Sequence, residues 1–215
     1  MRVHPVHFAV ERPARFTPVQ LLIRMVAFVV LGALGLSFGT LFSIAYVALP
    51  AYAAARIASL GSAEAYRRCD GARVRGILGW LAAVSAWVGL VTDRLPAASP
   101  DETIGLWIED DGAAPTAGGA LFRLLSGFPS AFVLMFVGAV GVVVWIWAAL
   151  SILVRSQVPA GAFDYLVGVQ RWSVRLLAYQ ACLVEAYPPF SFEDAPAPSR
   201  GPGATITGAE ATRGA

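Results

Sequence analysis

The stretch MVAFVVLGALGLSFGTLFSIAYVALPAYAAA, residues 25–55, carries no charged side chain. Residues 124–154, LLSGFPSAFVLMFVGAVGVVVWIWAALSILV, share this property. Each stretch is about 31 residues long, and about 20 apolar residues suffice to cross a bilayer as a helix. We therefore predict two membrane helices flanked by interfacial arginines, whose long side chains can reach the lipid headgroups. The flanking residues are Arg24, Arg56, Arg123 and Arg155.

The two stretches belong to a longer internal repeat. A shift of about 99 positions superimposes both pairs of flanking arginines and also places Tyr46 on Trp145. This pattern predicts a tandem duplication. We assign residues 1–98 to a first membrane module and residues 99–193 to a second. Residues 194–215 are rich in Ala, Gly, Pro, Ser and Thr without periodicity, which predicts a disordered tail.

The composition is typical of a membrane protein. Hydrophobic residues make up 57% of the chain and charged residues 14%, whereas soluble domains contain about 25% charged residues. All basic residues are arginine, and Ala, Gly and Val are abundant, which suggests a bacterial genome rich in G and C. The net charge of +2 is too small to indicate nucleic-acid binding. We predict a multi-pass protein of the bacterial inner (cytoplasmic) membrane.

Small residues recur three or four positions apart in the first apolar stretch and in a shorter one, residues 76–92. At this spacing they lie on one face of a helix and allow two backbones to approach closely in lipid. Such a face serves packing more often than ligand binding, so we predict helix packing or partner contact. The residues are Gly32, Gly35, Gly39 and Ser43, and then Gly79, Ala83 and Ala86.

Short alternating segments precede the first helix of each module. Their apolar positions are Val6, Phe8 and Val10, and then Ile104, Leu106 and Ile108. We predict an all-α integral membrane protein with about four membrane helices in two tandem helical hairpins. Each hairpin follows a short β-strand outside the bilayer core, and the two strands could pair. Because each module would cross the membrane an even number of times, both modules should share one orientation.

The fourth predicted helix, residues 163–187, carries a polar stripe. Asp164, Arg171 and Arg175 are seven and four positions apart and therefore share one side of the helix. Because charged groups are costly in hydrocarbon, such a stripe either lies in the interface or faces the interior of a bundle. We predict that the arginines avoid acyl chains and bind Asp164, a backbone carbonyl or a lipid phosphate.

This part of the chain resembles a known family. Residues 161–172, GAFDYLVGVQRW, and 185–191, EAYPPFS, are similar to domain of unknown function 4389, an uncharacterised bacterial membrane-protein family. The segments at 4–6 (HPV), 12–13 (RP) and 122–123 (FR) fit the same pattern, and 92–96 (TDRLP) resembles a worn copy of its ending. The resemblance implies tandem copies of which the first is degenerate. It implies no activity, because the family has none established.

Few side chains could support catalysis or bind a metal. His4 and His7 would face opposite sides of a strand, which is a poor arrangement for one metal ion. Cys69 and Cys182 have no neighbours that would complete a zinc site. The sequence contains neither a phosphate-binding glycine loop nor a nucleophile elbow. We predict no enzymatic activity, metal or cofactor, and surface or turn positions for the histidines.

These observations favour a non-catalytic role. We expect an accessory, scaffold or assembly subunit of a larger bacterial membrane complex. Its partners would be other integral membrane proteins, a second copy of itself or bilayer lipids. The alternative is a small-solute or ion transporter or channel that uses the polar face of Arg171 and Arg175. Broken helices and a buried charge pair would favour transport, whereas a flat ridge without polar groups on the exterior would favour partner binding.

Overall fold

The computed structural model describes residues 4–34, 38–95, 103–109 and 115–192. This part of the chain is mostly helical and contains a two-stranded sheet, as predicted. Gly35 and the tail at 194–215 lie outside the described residues. The elements in chain order are β1 (Val6–Ala9), α1 (Pro18–Ala33), α2 (Phe38–Leu60), α3 (Ala63–Val88), β2 (Gly105–Ile108), α4 (Ala117–Ser126), α5 (Phe128–Arg155) and α6 (Ala160–Gln180).

Two segments of the described chain are long and apolar enough to cross a membrane. They are Gly39–Leu60 in α2 and Ala117–Arg155, which comprises α4 and α5. The shorter segment Pro18–Val30 in α1 is also apolar. Many apolar side chains of these helices are exposed, for example Val29 at 71% and Val154 at 82%. Soluble monomers rarely expose large contiguous apolar patches, so this surface fits a lipid environment. Four membrane helices were predicted, and two meet these criteria.

The first apolar stretch forms two helices, and the prediction of one continuous helix is wrong. α1 ends at Ala33 and α2 begins at Phe38, so Gly32 lies in the last turn of α1 and Gly39 in the first turn of α2. Glycine is a poor helix former because its backbone loses the most freedom on folding. Gly32 and Gly39 therefore lie on different helices and do not form one face. Both are exposed, and Ser43 donates a hydrogen bond to Gly39 O.

The arginine-rich segment before residue 76 is helical. α2 continues through Pro50 to Leu60, and α3 begins at Ala63. The Ser62 side chain caps α3 by accepting a hydrogen bond from the Ala65 N–H at 3.1 Å. Arg56 Nε donates to the Asp70 carboxylate at 2.7 Å and joins the two helices. Local capping and this ion pair therefore outweigh the repulsion between neighbouring arginines.

β1 and β2 pair in an antiparallel manner, with Phe8 opposite Leu106. The alternating sequence predicted a half-exposed strand, but β1 is buried, with exposures of 0% for Phe8 and 1% for His7. One side of β1 contacts α6 and the other contacts β2. The ring of Trp107 lies over Gly105, where an added Cβ would come within 2.5 Å of it. Glycine therefore allows the aromatic ring to cover the strand.

The third helices of the two modules pack in opposite directions. Near the start of α3, the Tyr66 hydroxyl donates to Ala181 O, just beyond the end of α6. Near the end of α3, Ser85 contacts Gln170 in the middle of α6. A shared orientation was predicted for the two modules, whereas α3 and α6 run antiparallel where they pack against each other.

Gly127 joins α4 to α5 where α6 approaches most closely. A Cβ at this position would lie 2.4 Å from Gln180 Nε2 and 2.9 Å from Arg123 O. The chain stays helical across the junction, because Gly127 N–H donates to Arg123 O and Ala131 N–H donates to Gly127 O. The missing side chain thus allows α6 to pack against an almost continuous α4–α5 helix.

Replacing Gly127 by Ala should lower the free energy of unfolding by about 1–3 kcal/mol, because the new methyl group overpacks the junction. Gly138→Ala is the matched control on α5, since a Cβ there meets nothing within 4 Å. Thermal unfolding of the purified protein in detergent, followed by tryptophan fluorescence, measures both effects. If both variants had the same thermal unfolding midpoint, the close packing of Gly127 against α6 would be contradicted.

Candidate functional site

Two arginines of α6 hold β1 against the helix. Arg171 Nε donates to Phe8 O at 3.2 Å, and Arg175 Nε donates to Val6 O at 3.3 Å. Residues four apart on a helix are separated by a rise of about 6 Å, and residues two apart on a strand by about 6.6 Å. The spacing of the two arginines along α6 therefore matches the spacing of every second carbonyl along β1. They occupy the edge of β1 that β2 leaves open.

Arg171 also fixes the end of the described chain. It donates a second hydrogen bond to Phe192 O. The Phe192 ring covers Gly168, where an added Cβ would lie 2.6 Å from a ring carbon, and it meets Trp172 with centroids 6.1 Å apart. Asp164 is exposed near the start of α6. Of the three kinds of partner predicted for the arginine stripe, these contacts provide the backbone carbonyl.

His4 lies beside the β1 clamp formed by Arg171 and Arg175. Its Nδ1 accepts a hydrogen bond from the Val6 N–H at 3.1 Å. Burial and the positive charge of Arg175 lower the pKa of His4 to about 4, so its ring is neutral at pH 7. His7 is 1% exposed. The prediction of surface histidines is therefore wrong for His7, because β1 lies between β2 and α6.

Arg24 binds the segment that follows α3. The residue is 2% exposed, and its Nη2 donates to Thr92 O at 2.8 Å and to Asp93 Oδ1 at 3.1 Å. The guanidinium carbon lies 5.1 Å from the ring centroid of Trp87, which is a cation–π distance. A positive charge is favourable near the C-terminus of a helix, which carries a partial negative charge. Arg24 therefore ties the segment just after α3 to α1.

Arg123 likewise donates hydrogen bonds to backbone carbonyls at the end of α6 and just beyond it. It is 5% exposed and donates through Nη1 to Tyr179 O and to Val184 O, the latter at 2.6 Å. Its guanidinium carbon lies 4.4 Å from the Tyr179 ring centroid. The prediction that Arg24 and Arg123 reach toward headgroups is wrong, because each is buried and binds backbone carbonyls at or just after the end of a neighbouring helix.

The two capped helix ends share one backbone conformation. Leu90 and Cys182 are left-handed, with φ of 59° and 56°. In each turn a 6→1 hydrogen bond closes the helix, from Val91 N–H to Ala86 O and from Leu183 N–H to Ala178 O. Glycine usually occupies the left-handed position of this turn. The strained Leu and Cys therefore indicate that surrounding contacts, including the arginine caps, hold both turns.

The other predicted site residues fall in two environments. Arg155 is exposed at the end of α5, and Arg56 is half-buried in its pair with Asp70. The small residues of α3 are buried: Gly79, Ala83 and Ala86. Beside them Ser85 Oγ donates to Gln170 Oε1 at 2.6 Å, and Gln170 Nε2 donates to Ser85 O at 3.1 Å. This small-residue face therefore lies inside the chain, in the packing of α3 against α6.

Sequence reasoning missed a polar cluster at the C-terminal end of α6. Its centre is Gln180, which is 0% exposed and lies against Gly127. Three hydroxyl contacts surround it: Tyr46 to Leu124 O at 2.6 Å, Ser126 with Tyr179 at 2.8 Å, and Ser130 to Tyr187 at 2.9 Å. Isolated Ser and Tyr residues in apolar helices form no spacing pattern, so only the packing of four segments reveals the cluster.

Asp164 and Arg171 line an open groove together with Tyr165. Charges of both signs at one groove are suited to a small zwitterionic or ionic solute. Among residues 4–34, 38–95, 103–109 and 115–192, the structure contains no group of three or more His, Cys, Asp or Glu side chains that could hold a metal ion. Cys69 is exposed and Cys182 is buried.

Residues 118–191 match the family model described as domain of unknown function DUF4389. This match confirms the resemblance over residues 118–191, which include Arg123, the β1 clamp and most of the polar cluster. The residues of the first module lie outside the match. No curated protein and no solved structure matches this chain.

Replacing Arg171 by Leu should lower the free energy of unfolding by about 1–3 kcal/mol, because the carbonyls of Phe8 and Phe192 lose their donor. Asp164→Asn should be neutral and should not change the effect of Arg171→Leu. A double-mutant cycle, measured by thermal unfolding in detergent, gives the coupling between the two side chains. A coupling energy above about 0.5 kcal/mol would show that Asp164 does hold the arginine.

The protein should lose stability as the pH falls from 6.5 toward 4. In this window the unfolded chain binds a proton at His4, whose ordinary pKa is 6.5, whereas the folded chain binds it only near pH 4. His4→Asn should flatten the dependence, because its amide oxygen can accept the Val6 N–H and does not titrate. Unfolding midpoints of both proteins between about pH 7 and pH 4 test this. Parallel curves would show that His4 is not responsible.

Proposed function

We propose that this chain is a non-catalytic, multi-pass protein of the bacterial inner (cytoplasmic) membrane, and that it acts as an accessory, scaffold or assembly subunit of a larger complex. The main support is the use of its buried arginines. Arg24, Arg123 and Arg175 donate to backbone carbonyls of the chain itself. A transport path needs ionisable groups that can exchange partners, whereas these groups are engaged in holding helices and a strand together.

The exposed surface of α5 supports the membrane setting. Phe128, Phe132 and Phe136 form a row with successive ring centroids 6.0 Å and 5.0 Å apart, and all three are about half exposed or more. In water such a row would be costly, since burial of apolar surface contributes about 25 cal/mol per Å². In a bilayer it is favourable. The aromatic row is therefore suited to lipid or to the apolar helix of a partner.

The proposal includes a four-helix topology with two hairpins, α2–α3 and α5–α6. Within the first hairpin, Tyr52 and Tyr66 meet with ring centroids 6.4 Å apart. Within the second, the Tyr165 hydroxyl donates to Val137 O at 2.8 Å. α3 and α6 therefore accompany the two candidate spans over part of their length. Protein contacts then shield the polar stripe of α6, which would be costly in hydrocarbon.

A duplication of one ancestral module best accounts for this architecture. A strand followed by three helices occurs twice in the same order. Phe8 and its partner Leu106 hold corresponding positions in two alternating segments. The helix-end turns correspond as well, with Leu90 matching Cys182 and each turn capped by an arginine. Independent origins would not be expected to produce this shared order and turn geometry.

A transporter or channel remains the second candidate. Three observations favour it: the division of the first apolar stretch into α1 and α2, the buried pair of Arg24 with Asp93, and the open groove lined by Asp164, Tyr165 and Arg171. Transport through this groove would require Asp164, because it supplies the negative charge. In proteoliposomes loaded with small ions or zwitterions, an Asp164→Asn variant should then lose flux that the wild type shows. A scaffold function predicts no dependence on this side chain.

The scaffold proposal is tested by the size of the native complex. An added Cβ at Gly32 meets nothing within 4 Å, so a larger side chain can be accommodated there. An added Cβ at Gly76, on the polar half of α3, also meets nothing within 4 Å, which makes this position the control. Gly32→Leu should therefore leave the fold intact but shift the complex to a smaller mass on native gels of solubilised membranes. Gly76→Leu should leave that mass unchanged. If the mass of the complex were unchanged in both variants, Gly32 would not belong to the surface that binds the partner.

A further inference from the structure

The first half of α3 carries a positively charged surface. Residues 56–75 contain five arginines and two acidic residues, which gives this segment a net charge of +3. Asp70 is paired with Arg56 at 2.7 Å, and Glu64 lies 3.7 Å from Arg68 in a pair whose side chains are 71% and 73% exposed. Such an exposed pair contributes little, because water screens it. The two acidic groups therefore leave an excess of positive charge on this half of the helix.

Arg56 and Arg73 lie on either side of one carboxylate. Arg73 follows Asp70 by three positions, and residues at this spacing are neighbours on a helix surface. The pKa of Asp70 is lowered, chiefly by the hydrogen bond from Arg56 and also by the positive charge of Arg73. One carboxylate can neutralise only one of the two guanidinium groups. The Arg56 side chain is 37% exposed and Arg73 is exposed, so a second anion can approach them from outside.

An exposed apolar surface continues from Arg73 along α3. Ile77 and Trp80 follow Arg73 by four and seven positions and therefore lie on the same side of the helix. Their exposures are 47% and 52%. The remainder of α3, from Gly76 to Val88, carries no charge. Tryptophan is enriched where headgroups meet hydrocarbon, so this side of α3 has the order of a bilayer boundary, with cations first and apolar groups after them.

We propose that Arg56 and Arg73 together bind the phosphate of an anionic phospholipid, whose acyl chains lie along Ile77 and Trp80. The inference names a lipid partner and rests on the proposed function for the bilayer setting. Guanidinium groups match the oxygens of a phosphate in geometry and form charge-assisted hydrogen bonds with them. The apolar residues favour a lipid over a soluble anion, because an acyl chain can cover them and a free phosphate cannot. The excess positive charge favours a headgroup with a net negative charge, since a zwitterionic headgroup brings its own cation.

Arg73→Gln tests the site in the purified full-length chain, held in a neutral detergent and titrated with dioleoyl phosphatidylglycerol. Native mass spectrometry counts the lipid molecules that each protein retains. The variant should bind this lipid about fivefold more weakly than the wild type, since each basic residue near an anionic lipid surface contributes about 1 kcal/mol. Arg68→Gln is the matched control, because it removes the same charge from another side of α3. Equal affinities of the two variants would overturn the proposed site.

The lipid class is tested with the wild-type chain. Phosphatidylglycerol should bind about fivefold more tightly than phosphatidylcholine with the same acyl chains, and inorganic phosphate should not displace it. Equal affinity for the two lipids would exclude recognition of the negative charge. Displacement by inorganic phosphate would show a site for a soluble anion. Either result would overturn the proposal.

A second variant tests the acyl-chain contact independently of the arginines. Trp80→Ala should weaken the binding of both lipids and leave the preference for phosphatidylglycerol intact, because the charged part of the site is unchanged. Unchanged lipid binding would overturn the placement of the acyl chains. Thermal unfolding without added lipid should give the same midpoint for Arg73→Gln and the wild type, since the Arg73 side chain is exposed. Lipid affinity is measured on the single chain and the Gly32→Leu test on the native complex, so failure of the lipid site and failure of the scaffold function are distinguishable.

Discussion

The fold depends on satisfying backbone carbonyls at helix ends and at a strand edge within largely apolar surroundings. A carbonyl left unpaired there costs about 1–3 kcal/mol. The chain meets this requirement with arginine, whose long stem and five N–H groups can reach across an element boundary. Arg24 binds the carbonyl of Thr92 just after α3, Arg123 binds that of Val184 just after α6, and Arg175 binds that of Val6 at the edge of β1. Buried charge thus serves as a hydrogen-bond donor.

α3 and α6 use arginine unequally. Gly79 and Ala83 lie as far before the left-handed Leu90 after α3 as Arg171 and Arg175 lie before the left-handed Cys182 after α6. Arg171 and Arg175 bind carbonyls at the edge of β1, whereas Gly79 and Ala83 are buried where α3 packs against α6.

Several sequence predictions depended on patterns that local physics enforces. The alternation around Phe8 and Leu106 predicted two strands, and they form and pair. The polar stripe of α6 predicted arginines that bind Asp164, a backbone carbonyl or a lipid phosphate, and Arg171 and Arg175 bind carbonyls. Helix boundaries were less predictable. Pro50 lies inside α2, because tertiary packing can offset the loss of one helical hydrogen bond.

The sequence by itself determined the mostly helical architecture, the apolar segments of membrane-spanning length and the resemblance of the second module, since each is encoded in composition or in spacing along the chain. Only the tertiary structure decided what the charged residues do. Arg24 and Arg123 look like interfacial arginines in one dimension, yet both are buried against helix ends. Their partners, Thr92 and Val184, lie more than 60 positions away. A side chain that can reach headgroups can equally reach a carbonyl, and only the packing of helices determines which is nearer.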